Sequence, residues 1–227
     1  MRVALFAACL ALPLGFPAIV VGQYAGPIYT EGQTSETPAF EVIASGRTTV
    51  GRVEVRRYAS YIAAQVTVEA GSERSAAAGG FGPLANYIFG GNAPGDRISM
   101  TEPVATAPAS SGARISMTEP VRTTPKTGAG AYIVQFMMPS EWTMDTLPAP
   151  LDPRVSLVDV PARTLATLRW SGGRSDTAVS RATDALTEWI EAAGLRAVSP
   201  VTVAQYDSPS VARERQRWEV QIEVTEG

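Results

Sequence analysis

The chain has 227 residues, of which 45% are hydrophobic and 18% charged, with a formal net charge of −3. This length suffices for one sizeable core and leaves little room for a second domain, and the negative charge argues against general affinity for nucleic acid. There is no histidine and one cysteine, Cys9, which excludes a histidine-based catalytic triad, a zinc site of the usual His/Cys kind, proximal-histidine haem ligation and an intrachain disulfide.

The N-terminus has the layout of a secretory signal. Arg2 precedes an uncharged apolar run over residues 3–21, and small residues follow. The pattern predicts that residues 1–22 form a cleaved signal peptide, which makes the protein exported, periplasmic or extracellular. The alternative is an uncleaved membrane anchor, although two prolines and a glycine interrupt the run and its length is marginal for a spanning helix.

A lead-in and a folded domain are predicted to follow. Residues 23–39 are rich in Gly, Thr, Ser and Pro and predict a flexible segment. The domain is predicted over residues 40–225, where alternation of apolar and polar residues indicates strands. The predicted strands are Phe40–Ala44, Val53–Tyr58, Tyr61–Val68, Tyr132–Met138, Arg154–Val160, Thr164–Trp170, Val201–Tyr206 and Trp218–Val224.

Two helices are predicted between these strands. The first covers Ser72–Phe89, and its glycines and Pro83 predict a break in the middle. The second covers Asp176–Ala193, with one apolar face and a terminating Gly194. The order of strands, helix and strands occurs twice, which predicts an α+β fold of two similar halves.

A short duplication lies between the two halves. Arg97–Val104 (RISMTEPV) recurs without change as Arg114–Val121, 17 residues later. We expect the two copies to pair as an antiparallel hairpin, with Met100 and Met117 at related positions. The alternative is that one copy takes the sheet position while the other bulges out, and the sequence does not decide between them.

Several blocks of this sequence resemble the SOUL/haem-binding protein family. The clearest is Arg97–Val104, with a basic residue, Ile, a small residue, Met-Thr and then Pro-Val; Phe81–Asn92 is similar to the family's helix-to-loop segment. Matching blocks in family order run from about Phe40 to Val224. The resemblance implies a distorted antiparallel β-barrel flanked by two helices, with haem or another tetrapyrrole bound on a hydrophobic surface beside the first helix.

Candidate ligand contacts follow from the residues near these blocks. Phe81, Leu84 and Ile88 fit an apolar wall for a flat macrocycle, or alternatively this helix face packs on the sheet. Met100 and Met117 offer thioether sulfurs, or alternatively fill the core. Arg97 and Arg213 suit the carboxylates of a tetrapyrrole.

The resemblance, together with the absence of histidine and of a catalytic constellation, therefore implies a non-catalytic haem or tetrapyrrole carrier or buffer that works without histidine ligation. The partner is a hydrophobic planar small molecule and not nucleic acid, and a membrane is involved only if the N-terminal segment is uncleaved. No catalytic or metal-ligating residues are predicted; Glu102 and Glu119 occupy equivalent repeat positions, which duplication alone explains. The alternative is an exported protein that binds another hydrophobic small molecule or a lipid on the same barrel.

Overall fold

The computed structural model describes residues 36–93, 112–126, 130–207 and 211–227, and these form one antiparallel sheet with two α-helices. Its strands are β1 (Phe40–Arg47), β2 (Arg52–Tyr58), β3 (Tyr61–Glu69), β4 (Val121–Pro125), β5 (Ala131–Met137), β6 (Val155–Val160), β7 (Arg163–Ser171), β8 (Leu195–Ala197), β9 (Thr202–Gln205) and β10 (Arg217–Glu226). The helices are α1 (Glu73–Ile88) and α2 (Asp176–Ala192), and a 3₁₀ turn covers Arg213–Arg215. The predicted α+β class is confirmed. The predicted signal peptide, Arg97, Met100 and Glu102 lie outside the described residues.

The sheet is built from two halves that meet at the β4–β9 pair. Its strand order is β1-β2-β7-β10-β9-β4-β5-β3-β6, with β8 paired to β10 beside this path. Counted outward from the central pair, the strands of the two halves correspond in order: β9 to β4, β10 to β5 and β7 to β3. The helices α2 and α1 occupy the equivalent connections. Strands β2 and β6 are exchanged, since each pairs with a strand of the other half.

The predicted closed barrel is wrong, because the sheet is open. Within the described part of the chain, β1 pairs with β2 and β6 pairs with β3, and no ladder joins β1 to β6. Residue alternation specifies which face of a strand is buried, but not which strands meet at the ends of a sheet. The alternating pattern therefore could not show whether the sheet closes into a barrel.

Each helix covers one half of the same sheet face. The predicted apolar face of α2, with Leu186, Trp189 and Ile190 at its centre, is buried against β7 and β10. The buried residues of α1 pack against β3 and β5 in a second hydrophobic cluster. The core therefore divides into two clusters that meet at the central strands, with Val203 of β9 in the first and Val121 of β4 packed against the second.

Helix α1 is continuous, so the predicted break in its middle is wrong. The Ser72 hydroxyl accepts a hydrogen bond from the Ser75 amide at 3.2 Å and caps the first turn. A Cβ on Gly80 would lie 2.6 Å from the side chain of Val134 on β5, so glycine lets the helix approach the sheet closely. Pro83 removes one backbone donor, but packing on the sheet compensates for that loss.

The sheet face opposite the helices carries buried polar side chains. Arg56, Arg122, Glu219 and Gln221 are each at most 3% exposed. They alternate along their strands with the apolar residues under the helices, as strand geometry requires. We refer to this surface, defined by these four residues, as the polar face.

The second repeat copy is not a strand. Its residues 114–120 have no strand assignment, and only Val121 enters β4, which pairs with β5 and β9. The Ile115 amide donates to the Ile88 carbonyl at 2.8 Å, while Met117 projects outward. Strands β5 and β9 thus pair with the two edges of β4. The first copy lies outside the described residues.

In the described part of the chain, neither helix combines the length and the apolar character needed to span a bilayer.

Candidate functional site

A cleft of about 740 Å³ lies on the helix-covered face of the sheet, over the seam between the two halves. One wall is α1, and the floor comes from β4, β9 and the start of β10. Its apolar lining residues are Ala77, Ala78, Phe81, Met117, Val121, Val203 and Trp218. Because α1 and α2 each cover their own half, the central strands between them remain accessible.

The position along α1 determines which of its residues reach the cleft. Ala77, Ala78 and Phe81 line it, whereas Leu84 and Ile88, nearer the C-terminal end of the helix, are at most 1% exposed and pack under the helix. Positions 77, 81, 84 and 88 follow the spacing of one helix face, so they differ in their place along the helix and not in rotation. Leu84 and Ile88 thus support the wall from behind and do not line it.

Phe81 and Met117 bring exposed apolar surface to the cleft. Phe81 is 39% exposed and Met117 is 37% exposed, both high for side chains of this type. The ring of Phe81 rests edge-on against Phe136, with centroids 5.4 Å apart. Arg213 also lines the cleft, so three of the predicted contact residues lie in one place.

Three arginines gather at one end of the cleft, which we call the cationic end: Arg74, Arg174 and Arg213. The Arg74 guanidinium donates to the Arg174 carbonyl at 2.6 Å, and the Arg174 side chain forms an ion pair with Glu73. Asp176 lies 4.0 Å from Arg174 as a second, exposed carboxylate, so three guanidinium groups against two carboxylates leave this end positively charged.

Arg174 and Gly173 were missed by the sequence analysis. Arg174 is only 8% exposed, and burial lowers its pKa although Asp176 opposes that effect. A Cβ on Gly173 would lie 2.5 Å from Nε of Arg213, so glycine admits that arginine. The available signal was the Gly-Gly-Arg stretch directly before the cap of α2.

The opposite end of the cleft carries acidic groups that an arginine neutralises. Asp207 and Glu119 both line the cleft. Arg217 binds Asp207 through Nη2 at 2.6 Å and Nε at 2.9 Å, and its Nη2 lies 3.5 Å from Glu119. Burial alone would raise the pKa of Asp207, but hydrogen bonds from Arg217 outweigh it and lower the pKa. With two carboxylates against one guanidinium, this end does not add to the positive charge of the cleft.

The cleft has few donors for a metal. Tyr206 lines it, but its hydroxyl donates to Glu219 on the polar face at 2.7 Å, and burial raises the pKa of Tyr206 far above its ordinary value. The Met117 thioether is the one sulfur among the described lining residues. The described residues also contain no group of three or more His, Cys, Asp or Glu side chains able to hold a metal ion.

A sequence model of the family described as "SOUL heme-binding protein" matches residues 35–223. A search of curated protein sequences finds no match. Among solved structures, the fold is similar to the EcmrR C-terminal domain, with a TM-score of 0.55 and 11% identity over 77% of this chain and 98% of that domain. EcmrR in its DNA complex has a TM-score of 0.56 and 12% identity over 80% of this chain and 60% of that chain. At such identities the likeness concerns the fold alone.

Proposed function

Because the chain belongs to the SOUL haem-binding family, we propose that it binds haem or another tetrapyrrole in the cleft beside α1, as a non-catalytic carrier or buffer. The cleft is the observation that carries this proposal. Its 740 Å³ falls within the range of about 300–1,000 Å³ typical of small-molecule sites. It also combines apolar walls with positive charge at one end.

The apolar lining suits a flat macrocycle. Phe81 and Met117 would contact the ring from the α1 side, with Trp218 on the sheet side. Burying apolar area contributes roughly 25 cal/mol per Å², so a ring enclosed on both faces gains most of its affinity in this way. Aromatic side chains add favourable stacking geometry.

The cationic end suits the carboxylates of such a ring. Arg213 and Arg174 both line the cleft, and guanidinium groups bind carboxylates in bidentate geometry. Nη1 of Arg174 is buried, forms no hydrogen bond with the described residues and lies 4.0 Å from the exposed carboxylate of Asp176. A ligand carboxylate would give that donor a hydrogen bond, which a ligand without an acceptor would not.

Histidine cannot hold the iron, since the chain has none. Met117 is placed to offer a thioether, a ligand that haem iron accepts in other proteins. The bound haem would supply its own redox chemistry, while the protein supplies shape, shielding and charge. We therefore propose that the macrocycle and its carboxylates determine affinity, with the metal secondary.

We also propose that the protein acts outside the cytoplasm, in the periplasm or beyond. The basic start and apolar run of residues 1–22 motivate this location. Detection of a mature N-terminus at Gln23 in an exported fraction would support it, and an intact N-terminus in the membrane fraction would favour an anchor.

A second candidate is a carrier of another hydrophobic small molecule or lipid. The absence of histidine from the sequence and the apolar lining of the cleft favour it. Mass spectrometry of material extracted from protein purified from its native source would separate the two. Recovery of a porphyrin would rule out this second candidate.

The test is to titrate the protein with haemin and follow the Soret band. Wild-type protein should give a saturable shift at micromolar ligand.

Ala78→Trp should abolish the shift, because Ala78 lines the cleft and an indole would fill it. Ser75→Trp, an exposed change on the same helix away from the cleft, is the matched control and should bind normally. An unshifted wild-type spectrum, or equal binding by Ala78→Trp, would contradict the proposal.

A further inference from the structure

A second, smaller recess lies on the polar face. It has a volume of about 190 Å³, and four arginines line it: Arg52, Arg56, Arg169 and Arg217. Glu54 is its one lining carboxylate among the described residues. We call this recess the arginine groove. The family resemblance and the cleft do not account for it.

Strand alternation separates the groove from the haem-binding surface proposed above. Val53 and Val55 on β2 and Leu168 on β7 face the cluster under α2. Arg56 and Arg169, which lie between or beside them in sequence, therefore face the opposite way. The groove and the cleft are on opposite faces of the sheet, although Tyr206 lines both, and Arg217 of the groove binds Asp207 of the cleft.

A buried carboxylate fixes the groove from behind. Glu219 is fully buried and lies 3.0 Å from Arg56 and 3.3 Å from Nε of Arg169. Arg56 is held further by Glu54 at 2.7 Å and by the Tyr58 hydroxyl at 3.1 Å. Two of the four guanidinium groups are thus positioned before any ligand arrives, which reduces the entropy lost on binding.

Aromatic rings also orient the guanidinium planes. Arg56 lies 4.6 Å from the ring centroid of Phe40, and Arg169 lies 4.5 Å from that of Tyr206. Such stacking holds a guanidinium while leaving its edge for hydrogen bonds. Contacts with Glu54, Tyr58 and Glu219 occupy all five N–H groups of Arg56, so this residue supplies fixed positive charge, and the donors for a ligand come from the other groove arginines.

Two of the balancing carboxylates are not among the residues that line the groove, whereas Glu54 lines it and pairs with Arg52 and Arg56. Glu219 lies behind Arg56 and Arg169, and Asp207 binds Arg217 from the cleft side. Arg52 and Arg169 each meet their carboxylate partner through Nε, at 3.0 Å and 3.3 Å. Their side chains remain 63% and 38% exposed, so the terminal nitrogens are accessible to a ligand in the groove.

We propose that the arginine groove binds a small tetrahedral oxyanion of the phosphate class, either free or as the phosphoryl group of a monoester. Arginine forks match phosphate oxygens in bidentate fashion, and several around one anion give strong charge-assisted bonds. At about 30 Å³ per water, 190 Å³ holds roughly six waters, enough for a phosphate with some hydration but not for a macrocycle.

The experiment is isothermal titration of the full chain with inorganic phosphate at fixed ionic strength, with chloride and acetate as comparison anions. Phosphate should bind saturably, one per chain, and chloride and acetate should not saturate at the same concentrations. Arg52→Gln combined with Arg169→Gln should weaken phosphate binding at least about tenfold, as expected when charge-assisted hydrogen bonds are lost. Glycerol phosphate in place of phosphate identifies the source: tighter binding indicates a monoester, and weaker binding the free ion.

Arg154→Gln is the matched control. Arg154 pairs with Asp152 two positions earlier, as Arg52 pairs with Glu54 two positions later, and the two arginines are similarly exposed at 67% and 63%. This variant should bind phosphate as the wild type does.

Arg52→Gln alone keeps the test valid if the double variant does not fold, because Arg52 is the most exposed of the groove arginines. Saturation by acetate, or phosphate binding unchanged in Arg52→Gln and the double variant, would overturn the proposal.

Discussion

Glu219 is the residue on which the polar face most depends. Its side chain is fully buried, with Arg56 and Arg169 as ionic partners and hydrogen bonds from Tyr206 at 2.7 Å and Gln221 at 2.6 Å. Burial alone would raise the pKa of this carboxyl, but the two arginines outweigh burial and lower it to about 2. The charged form is therefore the one that stabilises the fold.

Replacing Glu219 with Gln should destabilise the protein by about 3–5 kcal/mol, because Arg56 would remain buried without its main countercharge. Urea unfolding of the variant and the wild type measures this difference. Glu223→Gln, a partly exposed change on the same strand, should alter stability by less than about 0.5 kcal/mol. Equal stability of the Glu219 variant and the wild type would contradict the role assigned to this carboxylate.

The same variant has a defined pH signature. The folded pKa of Glu219 lies below its ordinary value of 4.5, so its stabilisation is complete above that value and is lost as pH falls towards 2. The wild type should thus lose stability through this window, and Glu219→Gln should lose less. Parallel curves for the two proteins over this range would show that Glu219 does not titrate as described.

The sequence indicated where polar residues stand on these strands, but not that they are buried. Arg56 and Glu219 occupy alternating positions that usually face solvent, and their pairing joins residues 163 positions apart. Similarly, Phe81 and Met117 were predicted as ligand contacts and do line the cleft, whereas Leu84 and Ile88 lie on the same helix face but are buried against the sheet. Long-range pairing and the extent to which a helix is covered along its length are tertiary properties that local patterns do not contain.

At the scale of the element, α1 illustrates how packing overrides a local preference. Two glycines of this helix are chemically identical but differently placed. A Cβ added to Gly80 would lie only 2.6 Å from the side chain of Val134. A Cβ added to Gly82 would meet nothing within 4 Å. Helix propensity alone would predict the same benefit from alanine at either site.

Gly80→Ala should therefore destabilise the protein by about 1–3 kcal/mol, through overpacking against β5. Gly82→Ala should stabilise it by about 0.5–1 kcal/mol, since alanine restricts the unfolded chain and favours the helix. Thermal or urea unfolding of the two variants checks the pair. Stabilisation by both substitutions would mean that α1 does not approach β5 as closely as described.

Strand β4 shows the limit of reading elements from sequence. Its residues Val121–Pro125 include two threonines and an arginine and end in proline, so neither an apolar run nor clear alternation marks it. The preceding repeat copy, which does alternate, is not a strand because Ile115 and Thr118 bond to the Ile88 and Met137 carbonyls outside any ladder. Most other strands and both helices were predicted within a few residues, because periodicity identifies them directly.

At the scale of the whole molecule, the cleft results from how the two halves meet. Each half covers its own strands with a helix, and the seam at β4 and β9 is left between them. The order of elements predicted the two halves, and the family resemblance implied an apolar surface beside α1. The sequence did not predict the open sheet or the position of the cationic end, because those depend on strand exchange between the halves and on a loop before α2.

The most direct test of the account compares haemin with metal-free protoporphyrin IX, both titrated into the full chain. Without an imidazole to bind iron, the ring and its carboxylates should determine affinity. We therefore predict saturable binding of both ligands, one per chain, with dissociation constants within about tenfold, or 1.4 kcal/mol, of each other. Saturable binding of haemin with no binding of protoporphyrin IX, or binding of neither at micromolar concentration, would contradict the account.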